Sequence, residues 1–405
     1  MNHAEPPRVE PPRIPAPPLP HLDRGAQVRR SFGCGCLGCA GLFSFIGIGL
    51  FLVSAVPNPV ALTIAAIAAI LPVPTFIFLI LQLDRYEREP WHVMTAAFLW
   101  GALVATLFSA IVNTLVGAVV ESAFGEAPGD LVTSGVVAPI VEESSKGFAV
   151  LLLFLLVRNE FDNVLDGIVY GSLIGLGFAM TENILYFGRI YAEGGLVGVG
   201  VLFYVRVILG GLGHALYTAS TGAAIGFIRE RSSLLLQIVV PPIGYMIAVG
   251  QHAAWNAIGA TLVPAMLPDD LNPLVLLFVV MPITSFVLTA PGVVTLLIIS
   301  ILSWRREATI IRTYLADEVA DGTVTGDEYA MLPSLGARFR QEMSALRRRG
   351  VGAFFATREF HQAATELAFR KWHLARGERP KRAQRITPED MYRHQIAVLR
   401  ARLAR

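Results

Sequence analysis

The chain has 405 residues, of which 54% are hydrophobic and 16% are charged, and its 33 Lys and Arg residues nearly balance its 31 Asp and Glu residues. A soluble domain carries about 25% charged residues, so this composition excludes an ordinary soluble globular protein and indicates a polytopic membrane protein. The net charge of +2 gives no indication of nucleic-acid binding, which needs more than a basic segment.

The N-terminal residues 1–33 are rich in proline, as in "PPRVEPPRIPAPPLP". This stretch has no apolar period, so we predict a disordered cytoplasmic tail with polyproline II character. A docking segment for an SH3-like domain is the alternative interpretation.

Three cysteines follow the tail in "CGCLGC", namely Cys34, Cys36 and Cys39. Three thiols suggest a metal site or a lipid attachment site. Because a fourth ligand is missing nearby, we interpret them as small residues at the membrane interface without a chemical role.

Eight apolar runs follow, and most exceed the roughly 20 residues that cross a bilayer as a helix. Pro72 and Pro74 lie inside the second run and are expected to kink its helix. The fold class predicted from these runs is an all-α polytopic membrane protein with about eight transmembrane helices, a multi-pass protein of the cell membrane. The runs cover residues 36–56, 59–83, 92–120, 131–157, 163–188, 197–228, 234–262 and 273–302.

The basic residues of the connections predict the orientation of these helices. Arg85, Arg158 and Arg229 follow runs two, four and six, whereas the connections on the other side hold only Arg189. Since Lys and Arg concentrate in cytoplasmic loops, both termini are predicted to be cytoplasmic. The predicted organisation is the tail over 1–33, a membrane domain over 34–302 and a cytoplasmic extension over 303–405.

The extension is basic and helix-prone, and we interpret it as a small solvated helical unit. Contact of its basic residues with anionic lipid is the alternative. Thr325 and Glu328 have the spacing of a capping box, which predicts that a helix begins near Thr325.

Charged and polar residues interrupt four of the apolar runs, although a charge at the centre of a membrane helix costs roughly 2.5–3.5 kcal/mol. Ionisable residues inside a membrane are candidates for function for this reason. We interpret one of them, Arg206, as a residue that reaches for the membrane interface. The set consists of Glu142, Glu143 and Lys146 in run four, Glu182 and Asn183 in run five, Arg206 and His214 in run six, and His252 and Asn256 in run seven.

The spacing of these residues predicts that they meet. Glu142 and Lys146 are four residues apart, as are His252 and Asn256, so each pair shares a helix face. Counted from the outer helix ends at about 1.5 Å per residue, the ionisable groups of the four runs lie at comparable depth. We therefore expect one shared buried site.

Carboxylates and imidazoles at one buried place suit a water molecule that is activated by a metal or by a carboxylate. A catalytic zinc takes three ligands from His, Glu or Asp and leaves one position open, while a nearby Glu acts as general base. Asn256 is suited to donate a hydrogen bond to an oxyanion.

Two other classes use similar residues: a proton- or ion-coupled transporter and a catalytically silent scaffold that binds transmembrane partners. The lack of an internal repeat disfavours the transporter, and the complete set of polar residues disfavours the scaffold.

Five short motifs lie in chain order, beginning with "DRYEREPW" at 84–91 and "EESSK" at 142–146 and ending with "HAAWN" at 252–256. Through these motifs the chain resembles, over roughly residues 60–335, the PrsW family of intramembrane proteases, which is distantly related to the CAAX prenyl proteases. The resemblance implies a hydrolase, a metalloprotease that cleaves membrane-embedded proteins, anti-sigma factors among them. The CAAX relatives have His where this chain has Glu182, and they also admit a mechanism without a metal. The matching motifs are "DRYEREPW" at 84–91, "EESSK" at 142–146, "GFAMTEN" at 177–183, "GHALYTASTG" at 213–222 and "HAAWN" at 252–256.

Combined, the residues and the resemblance give a predicted site. Glu142 or Glu143 acts as the base, and Lys146 stabilises the other carboxylate. Zn²⁺ is the predicted cofactor; without it the ligand residues position the water directly, and Asn256 donates to the oxyanion in that case. The predicted zinc ligands are Glu182, His214 and His252.

Other acidic residues are expected to have structural roles. Asp84, Glu87 and Glu89 are predicted to lie at the cytoplasmic surface and to anchor a helix end, and Asp166 is predicted to cap or pack a helix. The predicted partners are a transmembrane protein substrate and membrane lipid, without nucleic acid.

Overall fold

A computed structural model describes residues 41–404 apart from 57, 88, 158–159, 230, 269 and 378–386, and these residues form helices and no strand. The chain divides into two units, 1–43 and 44–405. The predicted Pro-rich tail and the three cysteines lie outside the described residues. The predicted boundary after residue 302 falls inside one long helix, Met281–Ala320, and the division into three domains stays a prediction.

The helices follow the apolar runs closely, with short π-helical segments between several of them. The break at Pro72 is confirmed, because one helix ends at Ile70 and the next begins at Val73. In chain order the helices are α1 Gly41–Ala55, α2 Pro59–Ile70, α3 Val73–Ile80, α4 Trp91–Leu99, α5 Thr106–Phe124, α6 Glu126–Val132, α7 Ala138–Leu156, α8 Val164–Phe203, α9 Gly213–Arg229, α10 Leu234–Ala253, α11 Val263–Ala265, α12 Pro273–Val275, α13 Met281–Ala320, α14 Gly326–Met331, α15 Leu335–Arg349, α16 Val351–Ala375 and α17 Pro388–Ala404. The π-helical segments are Trp100–Ala105, Thr133–Val137, Tyr204–Leu209, Ala254–Leu262 and Leu276–Val280.

Five helical stretches of the described residues are long and apolar enough to cross a membrane: Pro59–Ile80, Trp91–Phe124, Val164–Arg229, Leu234–Gly259 and Pro273–Ala320. The fold class, an all-α multi-pass membrane protein, is therefore confirmed. The stretch Val164–Arg229 has 66 residues, about 99 Å if straight, and covers two of the predicted runs. It turns at Gly195, whose φ of 57° and ψ of −148° are not helical.

The helix α7 is not among these five stretches, because its 19 residues include Glu142, Glu143 and Lys146. The count of eight transmembrane helices and the cytoplasmic location of both termini stay predictions.

The helices α8 and α9 touch each other through their backbones. A Cβ atom added at Gly175 would lie 2.1 Å from the carbonyl oxygen of His214, and one at Gly167 would lie 2.1 Å from that of Gly222. Small residues at four-residue spacing allow this close approach between membrane helices. Since α9 also packs against α7 and α10, its residues are brought to the centre of the membrane domain.

The C-terminal helices pack on the loop between α3 and α4. Tyr86 of this loop is buried in the same apolar core as Leu315, Leu332 and Leu367, and its hydroxyl donates a hydrogen bond to the carbonyl of Pro333 (2.6 Å). The predicted capping box is confirmed, because α14 begins after Thr325 and this residue and Glu328 bond each other's backbone. The extension thus shares its core with a loop of the membrane domain.

The start of α8 confirms the capping role of Asp166. The side chain of Asn163 accepts from the backbone of Asp166, whose own carboxylate accepts from the backbone nitrogen of Asn163 at 3.0 Å.

Candidate active site

The three charged residues of α7 form a buried group. Lys146 and Glu143 have no exposed surface and Glu142 is 5% exposed. The Lys146 Nζ donates to Glu143 Oε1 at 2.9 Å and to Glu142 Oε2 at 3.4 Å, and it lies 3.8 Å from the centre of the Phe178 ring. The ammonium thus compensates carboxylate charge that water cannot reach.

The two carboxylates have different surroundings. Glu143 accepts hydrogen bonds from Lys146, from Thr218 Oγ1 (2.9 Å) and from His252 Nδ1 (3.1 Å). The contacts of Glu142 are longer: 3.4 Å to Asn113 Nδ2, 3.4 Å to Lys146 and 3.8 Å to His252 Nε2. Glu143 is therefore held by three donors, whereas Glu142 is the carboxylate with oxygen lone pairs available for a ligand.

The two histidines come from different helices and lie together. The rings of His214 in α9 and His252 in α10 are 4.8 Å apart and nearly perpendicular. Tyr217 stacks on His252 at 5.1 Å, which fixes the plane of that imidazole.

Each imidazole contacts a carboxylate through one nitrogen. His252 uses Nδ1 for Glu143, and His214 uses Nε2 for Glu182 Oε2 at 3.1 Å. His214 Nδ1 lies 3.1 Å from Lys146 Nζ. These partners assign the N–H of His252 to Nδ1 and that of His214 to Nε2, and such carboxylate partners orient histidines that bind metals.

Glu182 in α8 is held by Arg206. The guanidinium donates to Glu182 Oε2 and, through Nε, to Asn183 Oδ1 at 2.6 Å, and it lies over the ring of Tyr186. Arg206 thus forms an ion pair with Glu182, whereas the sequence analysis expected its side chain to extend to the membrane interface.

The side chains of Glu182, Arg206, His214 and His252 line a cavity of about 250 Å³. At roughly 30 Å³ for each water, it has room for several water molecules. Asn256 lines it from the π-helical segment after α10 and donates its Nδ2 to the carbonyl of Ser134 at 2.9 Å. The residues of the wall that carry polar side chains are Ser134, Glu182, Asn183, Tyr186, Arg206, His214, Tyr217, His252, Trp255 and Asn256.

One group of donors at this site has the spacing of a metal site. Glu142, His214 and His252 each offer one atom, and the three atoms lie within 4.8 Å of one another. Two imidazoles and one carboxylate form a ligand set of catalytic zinc, and both imidazoles have the carboxylate partners just described, so the chemistry of the donors fits a metal ion. In this structure the Lys146 ammonium contacts two of the three, Glu142 Oε2 and His214 Nδ1, so metal binding requires Lys146 to move away from them. This group differs from the predicted ligand set in one member, since it contains Glu142 and not Glu182.

All seven residues that were predicted from the sequence lie in this region of the membrane domain. The sequence did not single out Thr218 or Asn113, which bind the carboxylates of α7. Thr218 is four residues after His214 and thus on the same face of α9, a signal that could have identified it; Asn113 gave no such signal.

The membrane domain thus buries carboxylates, imidazoles and a lysine beside a polar cavity, the arrangement expected of an intramembrane enzyme. The family model described as "PrsW family intramembrane metalloprotease" matches residues 89–287, a range that contains all seven predicted site residues.

Three relatives are each named "Protease PrsW". The protein of Bacillus subtilis (strain 168) is 32% identical over 165 residues, which are 39% of this chain and 68% of the relative. That of Clostridioides difficile (strain 630) is 30% identical over 180 residues, 43% of this chain and 72% of the relative. That of Geobacillus kaustophilus (strain HTA426) is 31% identical over 143 residues, 35% of this chain and 57% of the relative. No solved structure matches the chain.

The chain belongs to the PrsW family and is a peptidase. The family match covers α4 to the start of α13 and leaves the C-terminal helices α14 to α17 outside. Membership in a protease family favours an enzyme over the transporter and the silent scaffold.

Proposed function

We propose that this peptidase hydrolyses peptide bonds in transmembrane protein substrates, at a zinc centre held by Glu142, His214 and His252. The observation that carries the proposal is the convergence of these three donors, from three different helices, within 4.8 Å. Hydrolysis inside a membrane requires a water molecule that is both held and activated, and the polar cavity beside the two histidines supports that requirement.

The zinc assignment follows from the donors. Neutral imidazole suits zinc, copper, iron and nickel, whereas a set with two histidines and one glutamate occurs in zinc peptidases. When bound, Zn²⁺ supplies Lewis acidity, which lowers the pKa of water to about 7.

The roles of the protein's own residues follow from their contacts. Glu143 holds the Nδ1 proton of His252 and so leaves Nε2 toward Glu142. Lys146 compensates the charge of the carboxylates of α7. Both residues act as positioning groups, because Glu143 binds the proposed ligand His252 and Lys146 binds the proposed ligand Glu142.

Glu182 is the carboxylate that lines the cavity, and we assign to it the role of general base that the sequence analysis gives to Glu142 or Glu143. The donors from Arg206 and His214 both reach Oε2, so Oε1 is the oxygen that takes the proton of the attacking water. The same carboxyl group then gives that proton to the leaving amine nitrogen, which completes hydrolysis.

Asn256 remains the proposed donor to the oxyanion that forms on the scissile carbonyl. Its side-chain amide lines the cavity and is held in place by its bond to the Ser134 carbonyl. A donor of this kind contributes about 10²–10³ in kcat.

The experiment that tests these roles compares the metal content and the activity of three purified variants. Glu142→Gln is expected to lose metal and activity together, and Glu182→Gln to keep the metal and lose activity. Glu193→Gln changes an exposed glutamate of α8 and serves as the matched control, with both properties retained. Metal loss in Glu182→Gln with retention in Glu142→Gln would instead restore the ligand set that the sequence predicts.

We propose single-span membrane proteins as the substrates, with the scissile bond in or beside the transmembrane segment. Anti-sigma factors are the first class to test. The substrates can be identified by mass spectrometry of new N-termini in membranes from cells that express either the unmodified chain or the Glu142→Gln variant. Identical sets of N-termini in the two samples would argue against the proposal.

A further inference from the structure

A second group of acidic side chains lies away from the peptidase site and shares no residue with it. Asp84 and Glu89 are in the loop between α3 and α4, and Asp166 is in the first turn of α8. Each offers one oxygen, and the three oxygens lie within 4.8 Å of one another.

The group contains buried oxygens without a hydrogen-bond partner. Asp166 is only 2% exposed; its Oδ2 accepts from the backbone nitrogens of Asp162 (2.7 Å) and Asn163 (3.0 Å), whereas its Oδ1 has no partner. The Oδ2 of Asp84 is likewise buried and without a partner. A buried, unpaired polar atom is costly, so these two oxygens indicate a ligand that the described part of the chain does not supply.

The surroundings are acidic as well. Glu307 is 6% exposed and its Oε2 also lacks a partner. The carboxylates of Glu89 and Asp166 face each other, an arrangement that requires either a shared proton or a bound cation.

We propose that Asp84, Glu89 and Asp166 form a binding site for a hard divalent cation, Mg²⁺ or Ca²⁺, that is separate from the peptidase centre. Both ions prefer carboxylate oxygens, with bonds of about 2.0–2.6 Å. Oxygens on opposite sides of one such ion are about 4–5 Å apart on that basis, which agrees with the observed spacing.

The position of the site predicts what the cation does. Tyr86, between two of the ligands, is tied to the C-terminal helices by its hydroxyl bond to Pro333 and by the bond from Thr365 Oγ1 to its carbonyl (3.1 Å). A cation that joins this loop to α8 therefore fixes the base on which the C-terminal helices pack. The binding of Mg²⁺ or Ca²⁺ should raise the thermal stability of those helices.

The test uses the purified full-length chain in detergent, freed of metal and titrated with MgCl₂ or CaCl₂ by calorimetry and by thermal unfolding. We expect saturable binding and a higher melting temperature. Asp84→Asn and Glu89→Gln each remove one charged ligand and should weaken the affinity at least about tenfold, which corresponds to about 1.4 kcal/mol. Glu359→Gln, an exposed glutamate on α16, is the matched control and should bind as the unmodified chain does.

The two ligand variants keep the proposal testable if one of them fails to fold, which size-exclusion chromatography reports. Absence of a stability shift with either salt in the unmodified chain would overturn the proposal and favour a proton shared by Glu89 and Asp166. An equal shift in a folded Asp84→Asn variant, or binding of Zn²⁺ alone at this group, would overturn it as well.

Discussion

Replacing Lys146 by methionine tests whether the buried charges of α7 depend on one another. Lys146 Nζ contacts Glu143 at 2.9 Å and Glu142 at 3.4 Å, and all three side chains are at most 6% exposed. Removing one partner of a buried ion pair costs about 3–5 kcal/mol, because the remaining charge stays buried. At about 2–4 °C for each kcal/mol, the Lys146→Met variant should melt roughly 6–20 °C lower and lose peptidase activity.

The chain provides a matched control in Lys371, which also lies between two carboxylates, Asp317 and Glu318. Here Arg393 also donates to Glu318, at 2.7 Å, and the lysine is 16% exposed. Because Arg393 still pairs with the buried Glu318 and Asp317 is 67% exposed, Lys371→Met leaves no buried charge unpaired and should cost only about 1 kcal/mol.

The assay is thermal unfolding of detergent-solubilised protein at one scan rate, with the double variant Lys146→Met/Glu143→Gln included. The double variant should recover part of the lost stability, because Glu143, the nearer of the two carboxylates left without Lys146, no longer carries a charge. Equal melting temperatures for Lys146→Met and the unmodified chain, or no recovery in the double variant, would refute the reasoning.

Three further predictions concern packing and orientation. Thr218→Val removes the 2.9 Å bond to Glu143 and should lower the free energy of unfolding by about 1.5–3 kcal/mol. The hydroxyl of Thr221 has no partner among the described residues, so Thr221→Val should be nearly neutral. Equal losses in the two variants would contradict this prediction. Gly175→Ala places a Cβ 2.1 Å from the His214 carbonyl and should lower kcat/KM about 10²-fold, as expected for a 1 Å displacement, while Gly194→Ala, which meets open space, should leave it unchanged. In a chain without its three native cysteines, single cysteines should react with an impermeant reagent from outside the cell, and labelling from inside at two of them would refute the orientation. The labelling sites are residues 126, 193 and 266, which are exposed.

The sequence predicts the helical membrane fold well because the bilayer imposes it. Apolar runs of more than about 20 residues must be helical, since their backbone polar groups have no other partners inside lipid. The break at Pro72 and the helix start at Thr325 are local events, set by proline geometry and by capping. The non-helical Gly195 lies in the connection between the predicted runs 163–188 and 197–228, so the apolar pattern predicts a break in this region as well.

The meeting of the polar residues at one site is predictable, whereas their pairing is not. The cost of burying charges indicates that Glu142, Glu182, His214 and His252 face one another. Which carboxylate contacts which imidazole depends on the rotation of each helix, and that rotation follows from side-chain packing such as the contact between Gly175 and the backbone of His214. Arg206 illustrates the limit, because its partnership with Glu182 joins residues 24 positions apart.

The burial of Asp84, Glu89 and Asp166 is another feature that the sequence does not predict. "DRYEREPW" and Asp166 are separated by α4 to α7 along the chain, and three acidic residues near a membrane surface ordinarily remain in solvent. Their burial follows from the C-terminal helices that cover the loop, which the sequence of the loop alone cannot indicate.

The most direct test of the central claim is the cleavage of one identified single-span substrate, in liposomes, by the purified chain and by its Glu142→Gln variant. Mass spectrometry of the products measures both the cut and its position. The account predicts that the unmodified chain gives two fragments whose masses add up to the substrate plus one water, cut in or beside the transmembrane segment, and that the variant gives none. Equal cleavage by the variant would contradict the assignment of the peptidase centre to Glu142, His214 and His252.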